Sequence, residues 1–284
     1  MKHLNLVILC VLTSMLASCD DKDEPVNPPQ YRISWIYFDH SYQDFEYDSK
    51  GRISKFEYHE SDPDWIVSYI SSYSYPDNDN VLSITSEEQF GTDIWSYDEK
   101  LYLNPDGTAS HAAGIATLRN NDELMMTKNY TIDFLYNSSQ QLIKVNTAEK
   151  RTNDTGWEEP TALEWCAELE WADDNMVRYS EYSNPKYPTF TKTFTYFAGE
   201  TAHYLPIVQG PVMRRYYLPL QYQGVLGKQS ASMVKTMEIT SDQREQMVDF
   251  SYDISASVYN SWVEGYTELR NGKETKNTIG WEEM

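Results

Sequence analysis

From Tyr31 to the end of the chain, apolar residues recur at every second position in short runs rich in Tyr, Val, Ile, Phe, Thr and Trp. That is the period at which successive side chains of an extended strand point to opposite faces. The clearest run is Leu163 to Trp171, where Leu163, Trp165, Ala167, Leu169 and Trp171 share one face and Glu164, Cys166, Glu168 and Glu170 share the other. Wound as a helix, the same residues would scatter glutamates and tryptophans around the circumference. The segment is therefore predicted as a strand with an apolar inside and an acidic outside.

Between the runs a turn grammar repeats. Phe45-Glu46-Tyr47-Asp48-Ser49-Lys50-Gly51-Arg52-Ile53 places two aromatics on one face, then a polar turn with glycine, then a new apolar strand. Equivalent turn ends follow at Asn80, Gly107, Gln140 and Asn175. Each interval accommodates two strands of about 5 to 6 residues and two short loops. The predicted fold is all-β, an antiparallel meander over 31–284 that forms a curved sheet or an incompletely closed barrel with its aromatics inside. Between 198 and 229 the alternation gives way to Gly199, Pro206, Gly210, Pro211, Pro219, Gly224 and Gly227, a long irregular connection with at most a short helical turn. Long connections in compact domains are often functional, so this one is the first place to look for a binding edge. A membrane-spanning barrel also alternates, but outward positions here carry Arg52, Glu57, Glu168 and Glu170 where lipid requires apolar side chains.

The N-terminus bears on compartment. Residues 1–18 combine Lys2, an apolar run from Leu4 and small residues at Ala17 and Ser18, the layout of a secretory signal peptide. The run is shorter than the ~20 residues a membrane-spanning helix needs. Leu16-Ala17-Ser18-Cys19 resembles the lipobox of bacterial lipoproteins, and that resemblance implies cleavage before Cys19 and acylation of it, a stable membrane attachment. Residues 19–30, with Asp20, Asp21, Asp23 and Glu24 ahead of Pro25, Pro28 and Pro29, read as an acidic, extended tether. The acid cluster also resembles the surface-export signal of Gram-negative lipoproteins, which implies an outer-membrane, cell-surface location.

The hairpin around Gly51 looks like the YD-type hairpins of bacterial surface proteins. Together with the lipobox and the segment Gly224-Val225-Leu226-Gly227-Lys228-Gln229-Ser230 leading into Met233-Val234-Lys235, it resembles the lipoprotein family described as a domain of unknown function with a porin-like fold, DUF4595. The resemblance implies a barrel-like lipoprotein and brings no catalytic residues.

Composition narrows the partners. A net charge of -21 repels phosphate backbones, whose binding depends on Lys and Arg, so nucleic acid is excluded as a partner. Phosphate-cradling and nucleophile-elbow motifs are absent from the sequence. The mature histidines, His40, His59, His111 and His203, lack the close spacing of a zinc site, so neither metal nor cofactor is expected. Asp77-Asn78-Asp79-Asn80 alternates oxygen ligands without the glycine and distal glutamate of a calcium loop, and reads as a turn. With Cys10 in the signal and Cys19 lipidated, Cys166 has no disulfide partner and reads as a small strand residue. Gly156-Trp157-Glu158-Glu159 recurs as Gly280-Trp281-Glu282-Glu283 outside the expected strands, which makes Trp157 and Trp281 candidate ligand contacts where exposed. The expected function is a non-enzymatic binding or scaffold module for a glycan or protein, held to the membrane through Cys19. The alternatives are a surface polysaccharide hydrolase and a carrier of an apolar ligand in an open barrel.

Overall fold

The computed structural model describes residues 31–38, 41–62, 65–76, 80–159, 163–182, 188–201, 214–241, 244–256 and 261–283. Among them sixteen antiparallel strands follow one another around a closed barrel, each paired with its sequence neighbours. These are β1 (Tyr31–Phe38), β2 (Ser41–Tyr47), β3 (Ile53–Asp62), β4 (Trp65–Ser74), β5 (Val81–Phe90), β6 (Asp93–Leu103), β7 (Ala109–Asn120) and β8 (Glu123–Tyr136). The second half comprises β9 (Leu142–Asn153), β10 (Leu163–Ala172), β11 (Asn175–Tyr182), β12 (Phe190–Thr201), β13 (Ser232–Ser241), β14 (Arg244–Ala256), β15 (Ser261–Arg270) and β16 (Lys273–Glu283). The meander is as expected, but the sheet is neither open nor incompletely closed. β1 pairs along its length with β16, from Tyr31 opposite Glu283 to Tyr37 opposite Thr278, and this seam removes both edges.

The alternation resolves as read. On β10, Ala167 and Leu169 are buried while Glu164 and Glu170 are exposed, and on β8 Tyr130, Ile132 and Phe134 are buried between exposed Thr131, Asp133 and Leu135. The repeated turns all lie at one end of the barrel. Gly51 and Gly107 adopt left-handed backbone there, and Gln140, Asp173 and Asp174 meet the same demand without glycine. Asn and Asp tolerate this region best, and the turn at Gln140 is held by Asn137 Oδ1, which accepts from the backbone N–H groups of Ser139 and Gln141.

The irregular connection is shorter than expected, because β12 continues through Gly199 to Thr201. Its described part contains a single 3-10 turn, Arg215–Tyr217, and the five-residue helix α1, Leu218–Tyr222. Proline in the first turn of α1 suits the helix start, where an N–H would have no intrahelical partner. This segment is bound to the turn end of the barrel. Gln223 donates to Gly51 O and accepts from Ile53 N–H, Val225 O accepts from Ala109 N–H, and Lys228 N–H donates to Gln140 O. Ser230 Oγ accepts from Met176 N–H, and Ala231 N–H donates to Asp174 O. Four hairpin turns are thus tied to one strap.

Adjacent positions of β8 test the two faces. Ile132→Ala should destabilise the barrel by about 2 to 5 kcal/mol through lost burial and a residual cavity, and Thr131→Ala by no more than about 0.5 kcal/mol. Urea unfolding followed by circular dichroism measures both.

Candidate functional site

Inside the barrel the strap supplies large buried groups beside those of the strands. Tyr216, Tyr217 and Leu220 are buried, and Tyr217 packs edge-on against Phe134 of β8 while Tyr222 tilts against Phe45 of β2. They surround a carboxylate. Glu99 of β6 is 1% exposed; Tyr217 donates to its Oε1 at 2.6 Å, and Tyr216 and Tyr130 donate to its Oε2 at 2.8 and 3.0 Å. Tyr73 of β4 donates to the backbone oxygen of Tyr216, while β6 and β8 hold both strap tyrosines. The Arg214 guanidinium lies 3.8 Å from the Tyr130 ring centroid. A cation over an aromatic face, beside a buried carboxylate, offsets part of the cost of removing that charge from water.

Tyr130 reaches Glu99 because of a glycine. Gly114 of β7 stands between them in register, opposite Glu99 on one side and Tyr130 on the other. A Cβ there would lie 2.4 Å from the Tyr130 hydroxyl and 2.7 Å from Asp98 O. The ring therefore lies across β7 in space that any side chain would occupy. Burial raises the Glu99 carboxyl above its ordinary pKa, against the opposing pull of Arg214 and the three hydroxyls.

Sequence reasoning missed this cluster, although a signal existed. Glu99 falls on the inward face with Tyr97 and Leu101, a charged residue at an apolar phase, and Arg214-Arg215-Tyr216-Tyr217 stands in a connection otherwise poor in such side chains. The arrangement holds a carboxylate between three hydroxyl donors. Every oxygen of the carboxylate is engaged, which suits a latch better than a reacting group.

The outer face carries a groove of about 350 Å3 across β8 to β11, lined by Asp133, Asn146, Ala148, Glu164, Cys166 and Tyr182. Asp133, Asn146, Cys166 and Tyr182 form one row of opposed positions, and Ala148 and Glu164 stand in the next. Burial pushes the Cys166 thiol above its ordinary pKa, with Lys144 pulling the other way, so the thiol is not prepared as a nucleophile. Outer positions carry charges, with Lys55 meeting Glu46 and Glu57, Lys144 meeting Glu168, and Asp98, Lys100, Asp133 and Glu170 exposed, beside exposed Ile70, Ile115 and Leu135.

The residues expected from sequence separate. Trp157, in the β9–β10 connection, is 58% exposed and meets the condition for a contact. Trp281 is not outside the strands: it belongs to β16, is half-buried against the core, and its Nε1 donates to Val263 O at 2.8 Å. The structure does not bring the two together. Cys19, the tether, His40, His203, and Asp77 with Asp79 lie outside the described residues. Among the described residues no group of three or more His, Cys, Asp or Glu side chains is placed to hold a metal, and no helix is long and apolar enough to cross a membrane.

The family model for a domain of unknown function with a porin-like fold, DUF4595, matches residues 45–281. The chain belongs to this family. Among solved structures the DUF4595 chain is similar to a porin-like protein from Bacteroides uniformis, at 14% identity and a TM-score of 0.51, covering 88% of this chain and 96% of that one. A porin-like protein from Bacteroides vulgatus also aligns, at 9% identity and a TM-score of 0.39, over 88% of this chain and 98% of that one. No curated protein matches. What the first likeness establishes for the DUF4595 chain is the barrel fold.

The latch makes stability depend on pH in a stated direction. An acid whose folded pKa is raised binds its proton more tightly when folded, so its contribution is full below the unfolded value of 4.5 and declines as pH rises from there through the raised folded value. Glu99→Gln should remove that decline, flattening the slope of unfolding free energy against pH above 4.5. Denaturant titrations at a series of pH values read it, and an unchanged slope contradicts the assignment.

Proposed function

We propose that this DUF4595 protein is a non-enzymatic binding module held to the outer membrane by lipid at Cys19, its barrel standing in water and offering a recognition surface to a glycan. The supporting observation is the polarity of the wall. Porins have an apolar outside and a polar, water-filled lumen. Here the outer face carries Glu57, Asp98, Lys100 and Glu168 at mid-strand, beside apolar Ile70 and Ile115, and the inner face is packed with Ile84, Leu101, Ile132, Val145 and the strap tyrosines. Each Lys or Arg at the bilayer midplane of a barrel costs about 2 to 4 kcal/mol, and the outer face carries several charges of both signs. A wall of this kind suits neither embedding nor conduction, which leaves attachment to the acylated cysteine. The filled interior also speaks against the carrier of an apolar ligand, which needs an empty lumen.

One observation favours a second reading, a polysaccharide hydrolase: Asp133 and Glu164 line the same concave groove. They stand two strands and one row apart, ~12 Å between Cα atoms from strand spacing and rise.

Cys19→Ala should move the protein from the membrane pellet to the soluble fraction, with an unchanged circular-dichroism spectrum. Retention in the pellet after a high-salt wash would contradict lipid anchoring. Reducing-end assays on neutral polysaccharides should show no product. Product formation abolished by Asp133→Asn or Glu164→Gln would replace the binding module with the hydrolase.

A further inference from the structure

The second glycine of the repeated tetrapeptide marks a surface that neither tryptophan of that repeat occupies. Gly280 of β16 faces outward opposite Trp35 of β1, and a Cβ on it would lie 2.1 Å from Trp35 Nε1 and 2.2 Å from Cε2. The indole therefore lies down over β16 in the space of a missing side chain, one face against the sheet and the other to water; the residue is 40% exposed. A register shift between Ile33 and Trp35 brings the ring to this position.

The neighbouring positions extend a flat aromatic strip. Tyr37 of β1 is opposite Tyr42 of β2, and Tyr42 is opposite His59 of β3. Tyr37 and Tyr42 are 53% and 37% exposed, and the Tyr42 and His59 rings stack with centroids 4.8 Å apart at 27°. In the next row, directly beneath, Trp35 is opposite Asp44 and Asp44 is opposite Glu57. A row of three rings thus lies beside a row of one indole and two carboxylates over three strands of the outer face.

We infer that this strip over β16, β1, β2 and β3 is a binding platform for the pyranose rings of a neutral glycan, with Trp35, Tyr37 and Tyr42 as stacking faces and Asp44 and Glu57 as hydroxyl acceptors. The C–H face of a pyranose is apolar with a positive edge, which complements the negative face of an aromatic ring. Its equatorial hydroxyls need acceptors in the plane of the platform, and carboxylates accept at up to four sites. A protein partner fits less well: the core of a protein interface is depleted of charge, and a dry surface laid on Asp44 and on Glu57, which Lys55 pairs at one oxygen, would strip both carboxylates of water. The two carboxylates and a net charge of -21 disfavour an anionic polymer. This platform rests on the glycan-binding reading above and gives it a location and a ligand class.

The test is affinity electrophoresis of the mature lipoprotein in a polyoxyethylene detergent, through gels containing soluble starch, mixed-linkage β-glucan, galactomannan or polygalacturonate. At least one neutral polymer should retard the protein and polygalacturonate should not. Trp35→Ala and Tyr42→Ala should each weaken the retardation by about tenfold or more, the loss of one stacking face. Gly280→Val, which keeps every ring but lifts the indole off the sheet, should weaken it too, while Trp157→Ala should leave it unchanged. Circular dichroism and melting temperature confirm that each variant is folded. Retardation that survives Trp35→Ala and Tyr42→Ala but is lost in Trp157→Ala overturns the platform and leaves the glycan-binding module standing. Retardation by none of the neutral polymers overturns both. A dimer in light scattering that Trp35→Ala dissociates, with no polymer bound, makes the strip a protein interface and overturns the proposal.

Discussion

A sheet closed from sixteen strands encloses a lumen too wide for inward side chains alone to fill; barrels of eight strands are filled that way, and those of sixteen to eighteen leave a channel. Everything distinctive about this molecule answers that constraint. The strap between β12 and β13 brings Tyr216, Tyr217 and Leu220 into the inner face and binds four hairpin turns at one end. It also takes the three-way grip of tyrosine hydroxyls on Glu99, which would otherwise be an unpaired buried charge. The strap and the carboxylate therefore depend on each other: without the strap Glu99 loses two of its donors, and without Glu99 the two strap tyrosines lose their acceptor.

The sixteen-strand meander closes around an inner face rich in apolar side chains such as Ile84, Leu101 and Ile132. What decides whether a barrel sits in lipid or water is the alternation along each strand, and that lies outside the fold itself. In β10 the glutamates face out and Ala167 and Leu169 face in, and a shift of one residue would exchange the two environments. Glycine works on both faces in a related way. Gly114 clears a path for Tyr130 across the inner wall, and Gly280 leaves a bed for Trp35 on the outer wall. In each case an aromatic from the adjacent strand covers backbone that glycine exposes, a known way of protecting glycine within a sheet.

The strands, their phase and the turn end at Gly51, Gly107 and Gln140 were legible because period-two patterning and turn chemistry are local. Closure was not, since nothing in β1 or β16 alone states that each completes the other across the whole chain. The candidate surfaces were harder still. Trp281 carried the expected residue type but lies in β16 with its N–H bonded to Val263, while its neighbour Gly280, uninformative by itself, places Trp35. A platform assembled by side-by-side strands appears only once register is known; rings at 35, 37, 42 and 59 form no motif along the sequence.

The seam between β1 and β16 has a consequence for assembly. Arg32 bonds Glu282, 250 positions away along the chain, and every other strand meets its partners through a local hairpin or the strap. Loop-closure entropy grows only logarithmically with length, so the join costs little at equilibrium, but contacts of such separation form slowly. Until β16 is in place β1 has one side bare, a row of unpaired N–H and C=O groups to which a neighbouring chain can add itself.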